Sequence, residues 1–507
     1  MLKLDEPLVF ESKSKKLKAI PLWVFSLFSA IIAFLLVNYF FSPRFVFWKG
    51  LDVPLAWVYP EVNRAVNALK QIQHPFEPIN NPTNDVIQWR LLFPLLAHYL
   101  AIPKVVFLTI PHIGCILVLG WITILTYGQA QSQIEAMIAS VLFATSSWFF
   151  VSSGWLAYFD SWYVLGLMLA AFHPSRSWIV VSCLFVPWID ERFVLALPMT
   201  MLVRAIYFDR SFYSRPFLYD ALAIFLTITP WIAFRMYLIY SAIDSSPSVM
   251  AWQIDVGQRG IFFSVADGWW NGLRGLWAYP VLFCFISVRR ETMIRSALLV
   301  AAALVTQVLN IRLAGDLSRS VSNLMPFVAL GFFESIRSPS FPWRNLLFGL
   351  TAFNLLMPAY HVSTGFKLPM FYFPYERFHL NSPPPELTAV FYSDKGVDAW
   401  QLRDTKTALE MFSTAIRIDP HFAEGYLNRG VVYLEQGRIE EGEAEIRHAI
   451  EVAPTMYEAQ YQLAHALVRK GSIADAISIL QRILSKAPST YVRRSEVETL
   501  LNELSSR

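Results

Sequence analysis

The sequence predicts an all-α protein in two parts, a polytopic bundle of transmembrane helices followed by an α-solenoid of short repeats. Two observations lead to this prediction. Of the 507 residues, 55% are hydrophobic and only 16% are charged, whereas soluble domains carry roughly a quarter charged residues. Charged residues are concentrated near the C-terminus, where prolines also recur at a fixed interval. A net charge of +4 is too small to indicate nucleic-acid binding.

The first part contains eleven apolar runs of a length suited to crossing a bilayer. Lysines precede the first run and no cleavage site follows it, so we interpret it as an uncleaved first span. A further apolar segment, 91–102, is either a helix beside the membrane or a short span ended by Pro103 and Lys104. The predicted spans are roughly 20–41, 104–127, 134–153, 156–172, 177–189, 192–208, 219–240, 273–288, 294–311, 320–334 and 345–362.

Basic residues predict the orientation of these spans, because they are enriched in cytoplasmic loops. With the N-terminal lysines in the cytoplasm and 91–102 not spanning, most loop arginines fall on the cytoplasmic side and most acidic residues on the opposite side. Eleven spans invert the chain and therefore place the C-terminal repeats outside the cytoplasm. We expect a multi-pass protein of a bacterial plasma membrane with extracytoplasmic repeats.

Residues 388–507 are predicted to form tetratricopeptide repeats with a final capping helix. Pro420, Pro454 and Pro488 are 34 residues apart, which is the length of one such helical hairpin. Small residues between the prolines let paired helices approach closely, and large residues fill the gap between them. In the middle unit these positions are Tyr426, Gly430, Tyr433, Gly442, Ile446, Ala449 and Pro454.

The predicted domains are therefore a membrane domain at 1–365, a linker rich in proline and aromatic residues at 366–387, and the repeat domain at 388–507. The sequence contains no phosphate-binding loop, dinucleotide-binding glycine cluster, nucleophile elbow or metal-binding His/Glu spacing. Any chemistry must then come from charged residues of the membrane domain.

Sparse charged residues at the edges of the apolar runs are the candidate site residues, because ionisable groups at membrane depth are costly and rare. In the predicted topology they share the extracytoplasmic face. The candidates are Asp52, Arg90, Asp160, Asp190, Glu191, Arg192, Arg312, Asp316 and Arg319.

Acids and arginines on one face suit transfer chemistry on an anionic lipid carrier. A carboxylate can act as general base on an acceptor hydroxyl, and arginines can hold a phosphate and stabilise it as it leaves. The sequence does not specify a cofactor, although a divalent cation could bridge carboxylate and phosphate. The alternative is that these groups are salt bridges that hold the spans together.

Over about residues 20–362 the sequence resembles the GT-C superfamily of polyprenyl-phosphate-sugar-dependent glycosyltransferases. The resemblance rests on a long first outer loop with an early acid, the segment Arg-Leu-Leu-Phe-Pro-Leu-Leu that begins at Arg90, and an aspartate heading a span, as at Asp160. It implies that Asp52 is the catalytic base and that Arg312 or Arg319 binds the carrier phosphate. The sequence lacks the paired first-loop acids of many members. Eukaryotic O-mannosyltransferases with lumenal tetratricopeptide repeats join the same two parts in the same order.

The leading functional hypothesis is a membrane glycosyltransferase that moves a sugar from a polyprenyl-phosphate donor to an acceptor outside the cytoplasm. Asp52 and Asp160 would be catalytic, the other candidates would bind substrate, and the repeats would dock a protein or glycan partner. The alternative is a non-catalytic membrane scaffold that recruits partners through its repeats. A transporter is disfavoured, because the charges gather at one face and no inverted repeat is evident.

Overall fold

The computed structural model describes residues 20–41, 60–76, 89–240, 261–289, 293–313, 316–362, 367–370, 385–401, 403–487, 491 and 493–505. These residues are predominantly helical, as the sequence predicts. The chain divides into two compact units. The first comprises residues 1–365 and 369–380, and the second comprises residues 366–368 and 381–507.

The first unit is a bundle of helices whose lengths differ widely. The three-residue strand β1 (Tyr360–Val362) follows the last helix of this unit, and a second three-residue strand, β2 (Lys367–Pro369), comes next in the chain. The helices are α1 (Leu22–Phe40), α2 (Pro60–Gln73), α3 (Leu92–Tyr99), α4 (Lys104–Ala130), α5 (Gln133–Ala144), α6 (Ser147–Gly154), α7 (Asp160–Phe172), α8 (Ser177–Phe185), α9 (Arg192–Tyr207), α10 (Arg215–Tyr240), α11 (Ile261–Leu273), α12 (Ala278–Arg289), α13 (Met293–Leu313), α14 (Leu317–Ser320), α15 (Met325–Arg337) and α16 (Trp343–Leu356).

The number of helices that could cross a membrane is smaller than the sequence predicted. By length and composition, the described residues contain four: Leu22–Phe40, Lys104–Ala130, Arg215–Leu238 and Met293–Asn310. Helices α5 and α6 bend by 75° against each other and would form a fifth if they count as one span. The prediction of about eleven spans is corrected accordingly, and the orientation that rested on it stays a prediction.

The six remaining apolar runs form helices of between 9 and 16 residues, shorter than the roughly 20 residues that a membrane span needs. An apolar run indicates burial but does not reveal the turns within it. The run at 177–189, for example, becomes α8 followed by a 3-10 turn at Val186–Trp188. The segment 91–102 forms only the eight-residue helix α3.

Close packing between α4 and α7 fixes the point where α7 begins. The Ser161 hydroxyl donates to the carbonyl of Pro111 over 2.8 Å, and the Trp162 indole donates to the carbonyl of Ile110 over 2.8 Å. A Cβ atom on Gly114 would overlap the Ser161 hydroxyl oxygen, so only glycine permits this approach. Asp160, the first residue of α7, is therefore held in place by its neighbours.

Helix α10 leaves large apolar side chains on the outside of the first unit. Leu222, Phe225 and Leu226 are 51%, 67% and 60% exposed. Contiguous apolar surface of this kind is expected where a protein faces lipid or another protein.

The second unit is a series of antiparallel helix pairs. In its middle pair, a Cβ atom on Gly430 would lie 3.0 Å from the carbonyl oxygen of Gly442, so the two small residues allow the pair to pack. Large apolar side chains such as Ile446 and Leu480 are fully buried between the helices. The helices are α17 (Pro385–Gln401), α18 (Thr405–Ile418), α19 (Ala423–Glu435), α20 (Ile439–Val452), α21 (Tyr457–Lys470), α22 (Ile473–Lys486) and α23 (Arg494–Ser505).

Candidate functional site

A buried aspartate between two arginines forms the centre of the site. Asp160 is 1% exposed. Its Oδ1 atom accepts hydrogen bonds from Arg192 Nη2 over 2.8 Å and from Arg319 Nε over 3.1 Å, and its Oδ2 atom accepts one from Arg319 Nη2 over 2.9 Å. Arg319 lies on α14 and Arg192 begins α9, so Asp160 joins three separate helices.

The triplet before α9 extends this centre toward α3. The Asp190 carboxylate accepts a hydrogen bond from the backbone N–H of Arg192 over 3.1 Å and another from Arg192 Nη2 over 2.6 Å. Asp190 therefore holds both the backbone and the side chain of the first residue of α9. Arg90 donates to Glu191 through Nη2 over 2.6 Å and through Nε over 3.0 Å. Its Nη1 atom lies 3.0 Å from Asp190 Oδ2. Bidentate arginine–carboxylate pairs of this kind are stronger than hydrogen bonds between neutral groups.

Asp316 closes the other side of the site. It pairs with Arg319 three residues later, and its Oδ1 atom lies 3.2 Å from Nε2 of His361 on β1. The His361 ring is 1% exposed and packs against the Trp155 ring with centroids 4.4 Å apart. Asp316 itself keeps 33% of its side chain exposed, so it lies where the buried cluster meets the outside.

A tyrosine ring links Arg319 to a fourth arginine. The Tyr158 ring centroid lies 4.6 Å from Arg319 Cζ and 4.7 Å from Arg64 Cζ. Arg64, on α2, is 6% exposed. Among the described residues, no carboxylate lies within ion-pair distance of Arg64. Burial, together with the charges of Arg90 and Arg319, lowers the pKa of Arg64 to about 9.

The structure brings together seven of the nine predicted site residues. We call them the buried network: Arg90, Asp160, Asp190, Glu191, Arg192, Asp316 and Arg319. Asp52 lies outside the described residues, and so does the side chain of Arg312. Sequence reasoning missed Arg64, Tyr158 and His361.

The site contains equal numbers of positive and negative side chains, but Arg64 takes no part in the ion pairs that the structure describes. Three network arginines face four network carboxylates, and Arg64 brings the described total to four of each. Removing charges from water is expensive, and a buried ion pair seldom stabilises a fold more than apolar side chains of similar volume would. The geometry fits both predictions made from the sequence, a substrate site and a set of salt bridges between helices. No three His, Cys, Asp or Glu side chains converge as a metal site in the described ranges.

In the second unit, an arginine of the C-terminal segment connects two helices. Arg493 contacts Glu458 of α21 through Nε over 2.9 Å and Glu496 of α23 through Nη1 over 3.0 Å. Its Cζ atom lies 5.6 Å from the centroid of the Tyr461 ring. The capping helix is thus held by charge as well as by apolar packing.

Comparison with known proteins identifies the class of the second unit. Residues 393–451 and 433–490 match the tetratricopeptide repeat family, which confirms the repeats predicted from the proline spacing. The chain is 28% identical to Hsp70-Hsp90 organizing protein 1 of Glycine max over 124 residues and 30% identical to the protein of that name from Arabidopsis thaliana over 121 residues. It is 28% identical to Superkiller protein 3 of Saccharomyces cerevisiae over 92 residues.

These similarities cover a small part of each protein. The matched segments are 22%, 21% and 18% of this chain for the soybean, Arabidopsis and yeast proteins, and they span 22%, 21% and 6% of the relatives' own lengths. They therefore characterise the repeats alone.

Proposed function

We propose that this protein is a membrane glycosyltransferase that moves a sugar from a polyprenyl-phosphate donor to an acceptor outside the cytoplasm. The observation that supports this most is Arg64, a buried arginine that has no described carboxylate within ion-pair distance and lies beside the buried network. A donor phosphate would be a direct anionic partner for this guanidinium group.

A membrane location is supported by the first unit. Four of its helices are long and apolar enough to span a bilayer, and large side chains on α10 are exposed. A lipid-linked donor would reach the site from within the same membrane.

In this proposal Arg64 and Arg319 bind the phosphate on either side of Tyr158. A guanidinium group presents several N–H donors in one plane, which suits the oxygens of a phosphate. As the bond between the sugar C1 atom and the phosphate oxygen breaks, negative charge grows on the departing polyprenyl phosphate. Arginines already held in position stabilise that charge in the transition state.

Asp160 then acts as a positioning residue for the arginines. Both of its oxygens accept hydrogen bonds from Arg192 and Arg319, so its geometry favours holding them over taking a proton. The acceptor hydroxyl forms the new bond to the sugar C1 atom and gives its proton to a base. Asp52, implied by the family resemblance, remains the predicted base.

The repeats would bind a protein partner. The helical hairpins of the second unit belong to a family whose stacked repeats form extended binding surfaces. Two of the relatives are named as organizing proteins for Hsp70 and Hsp90. The same observation supports the second candidate function, a membrane scaffold whose repeats recruit partners and whose buried network is structural.

Release of polyprenyl phosphate tests the proposal whichever sugar the donor carries. Membranes containing the full chain are incubated with a panel of polyprenyl-phosphate hexoses, and the freed polyprenyl phosphate is measured. We expect release from one donor and its loss in Arg64→Gln and Arg319→Gln. Arg344→Gln is the matched control, because that side chain is 61% exposed and pairs with Glu135 away from the site.

Two results would favour the scaffold instead. One is release of polyprenyl phosphate that is unchanged in all three of the single variants Asp52→Asn, Asp160→Asn and Arg319→Gln. The other is a stoichiometric membrane complex, recovered by co-purification, that survives all three substitutions while no donor is consumed.

A further inference from the structure

A second group of buried charges lies at the other end of α7, away from the site described above. Asp220 of α10 is 1% exposed and accepts hydrogen bonds from three arginines. Its Oδ1 atom accepts from Arg176 Nε over 2.7 Å, and its Oδ2 atom accepts from Arg204 Nε over 2.8 Å and Arg210 Nη1 over 2.6 Å. One carboxylate thus faces three guanidinium groups, an excess of two positive charges among the described partners.

The three arginines differ in how many of their N–H groups are hydrogen-bonded within the protein. Arg204 uses four of its five N–H groups within the protein, because its Nη1 atom also donates to the carbonyls of Ala170 and His173 and its Nη2 atom to the carbonyl of Pro174. It therefore caps the C-terminal end of α7, where unpaired carbonyls carry partial negative charge. Arg176 and Arg210 retain 43% and 22% of their side-chain exposure and have N–H groups left for an outside acceptor.

Aromatic rings and Asp220 hold these two arginines in position. The Cζ atom of Arg176 lies 5.4 Å from the Tyr219 ring centroid, and that of Arg210 lies 5.1 Å from the Phe208 ring centroid. Preorganised guanidinium groups lose less side-chain entropy when they bind an anion.

An apolar track begins at the same place. Asp220 lies in the second turn of α10, and the exposed side chains Leu222, Phe225 and Leu226 follow it along this candidate span. The arginines at the start of α10 match the phosphate of a phospholipid, which lies at the membrane surface. The exposed apolar side chains that follow along α10 match its acyl chains, which run into the bilayer.

We propose that Arg176 and Arg210, held by Asp220, bind the phosphate of an anionic phospholipid headgroup. The inference rests on the membrane location proposed above but not on the transferase activity. The two sites are separate, since the 13 residues of α7 place Asp160 and the carbonyls capped by Arg204 at opposite ends of a helix about 20 Å long.

Native mass spectrometry of the full chain in a neutral detergent tests this site. The protein is titrated with dioleoyl phosphatidylglycerol or dioleoyl phosphatidylcholine, and bound lipids are counted. We expect one phosphatidylglycerol to bind in preference to phosphatidylcholine. The double variant Arg176→Gln/Arg210→Gln should weaken that binding by about tenfold or more, since each arginine contributes charge-assisted hydrogen bonds. Arg344→Gln removes one arginine elsewhere and should leave it unchanged.

Inorganic phosphate distinguishes a lipid from a free anion. If millimolar phosphate displaces phosphatidylglycerol, the headgroup phosphate is the recognised group, as proposed. Phosphate binding without any preference for phosphatidylglycerol would overturn the lipid assignment. Equal lipid binding by the wild type and the double variant would overturn the site. The single variant Arg176→Gln, at the most exposed of the three arginines, provides the same test if the double variant fails to fold.

Discussion

One nitrogen of Arg192 joins two buried carboxylates that come from different parts of the chain. Its Nη2 atom lies 2.8 Å from Asp160 Oδ1 and 2.6 Å from Asp190 Oδ2. Asp160 begins α7 and Asp190 precedes α9, so this nitrogen connects the starts of two helices. The buried network is therefore a mechanical connection as well as an electrostatic one.

Asp160→Asn is expected to destabilise the first unit strongly. It leaves Arg192 and Arg319 buried with less negative charge to balance them, and breaking one partner of a buried ion pair costs about 3–5 kcal/mol. Thermal unfolding in detergent measures the change. Asp209→Asn is the control, because that carboxylate pairs with Arg295 but is 95% exposed. Equal unfolding temperatures for the two variants would contradict a structural role for Asp160.

Gly331→Ala is expected to destabilise the contact between α12 and α15. Its new Cβ atom would overlap the backbone carbonyl oxygen of Tyr279, which cannot move without shifting a helix. Overpacking of this kind costs about 1–3 kcal/mol. Gly349→Ala on α16 is matched to it, because no atom beyond the adjoining backbone of its own helix lies within 4 Å of its Cβ position. The prediction fails if both variants unfold at the same temperature in detergent.

Glu443→Gln is expected to loosen the repeats at neutral pH but not in acid. Hydrogen bonds from Lys470, over 2.7 Å, and from Arg447, over 2.9 Å, hold the pKa of Glu443 below its ordinary value. A lowered folded-state pKa stabilises the fold above the unfolded value of about 4.3, and this stability is lost as the pH falls through the folded value.

Hydrogen–deuterium exchange of peptides from α20 and α21 measures this effect in the full chain. We expect faster exchange in Glu443→Gln at pH 7, corresponding to about 1 kcal/mol or less for a partly exposed pair. The difference from wild type should shrink below about pH 4. Glu440→Gln on the same helix, where the side chain is exposed, serves as control. A difference that stays constant with pH would show that the carboxylate charge is not responsible.

The side of the membrane on which the repeats lie is still a prediction from the positive-inside rule. A cysteine introduced as Glu440→Cys should react with a membrane-impermeant maleimide in intact cells. Ser175→Cys, in a loop predicted to be cytoplasmic, should react only after permeabilisation. The native cysteines give little background, because Cys115 and Cys183 are buried and Cys284 is partly so. The reverse labelling pattern would place the repeats in the cytoplasm and remove the topological support for the proposal.

The repeats and most of the buried network could be predicted from the sequence, for different reasons. A period of 34 residues is visible in the prolines alone, and each hairpin packs mainly against its neighbours. Asp160 and Arg192 were conspicuous because charges in apolar segments are rare. Their partner Arg319 is 159 residues from Asp160, and nothing local in the sequence indicates that they pair.

Two features could not be predicted for physical reasons. Arg64 lies on an amphipathic helix, where an arginine ordinarily points to water, so its burial depends on tertiary packing. The number of spans was overestimated because apolar composition is shared by bilayer-spanning helices and by short helices buried in a bundle. The bend of 75° between α5 and α6 illustrates how an apolar run can conceal a turn.

Binding of polyprenyl phosphate is the most direct test of the proposed site, because every donor of this class releases that product. Native mass spectrometry compares undecaprenyl phosphate with undecaprenol on the wild type, Arg64→Gln and Arg344→Gln. We expect the wild type and Arg344→Gln to prefer the phosphorylated lipid, and Arg64→Gln to lose roughly tenfold or more of that preference. Arg176→Gln/Arg210→Gln should retain it. An unchanged preference in Arg64→Gln would contradict the assignment of Arg64 and its neighbours as the phosphate site.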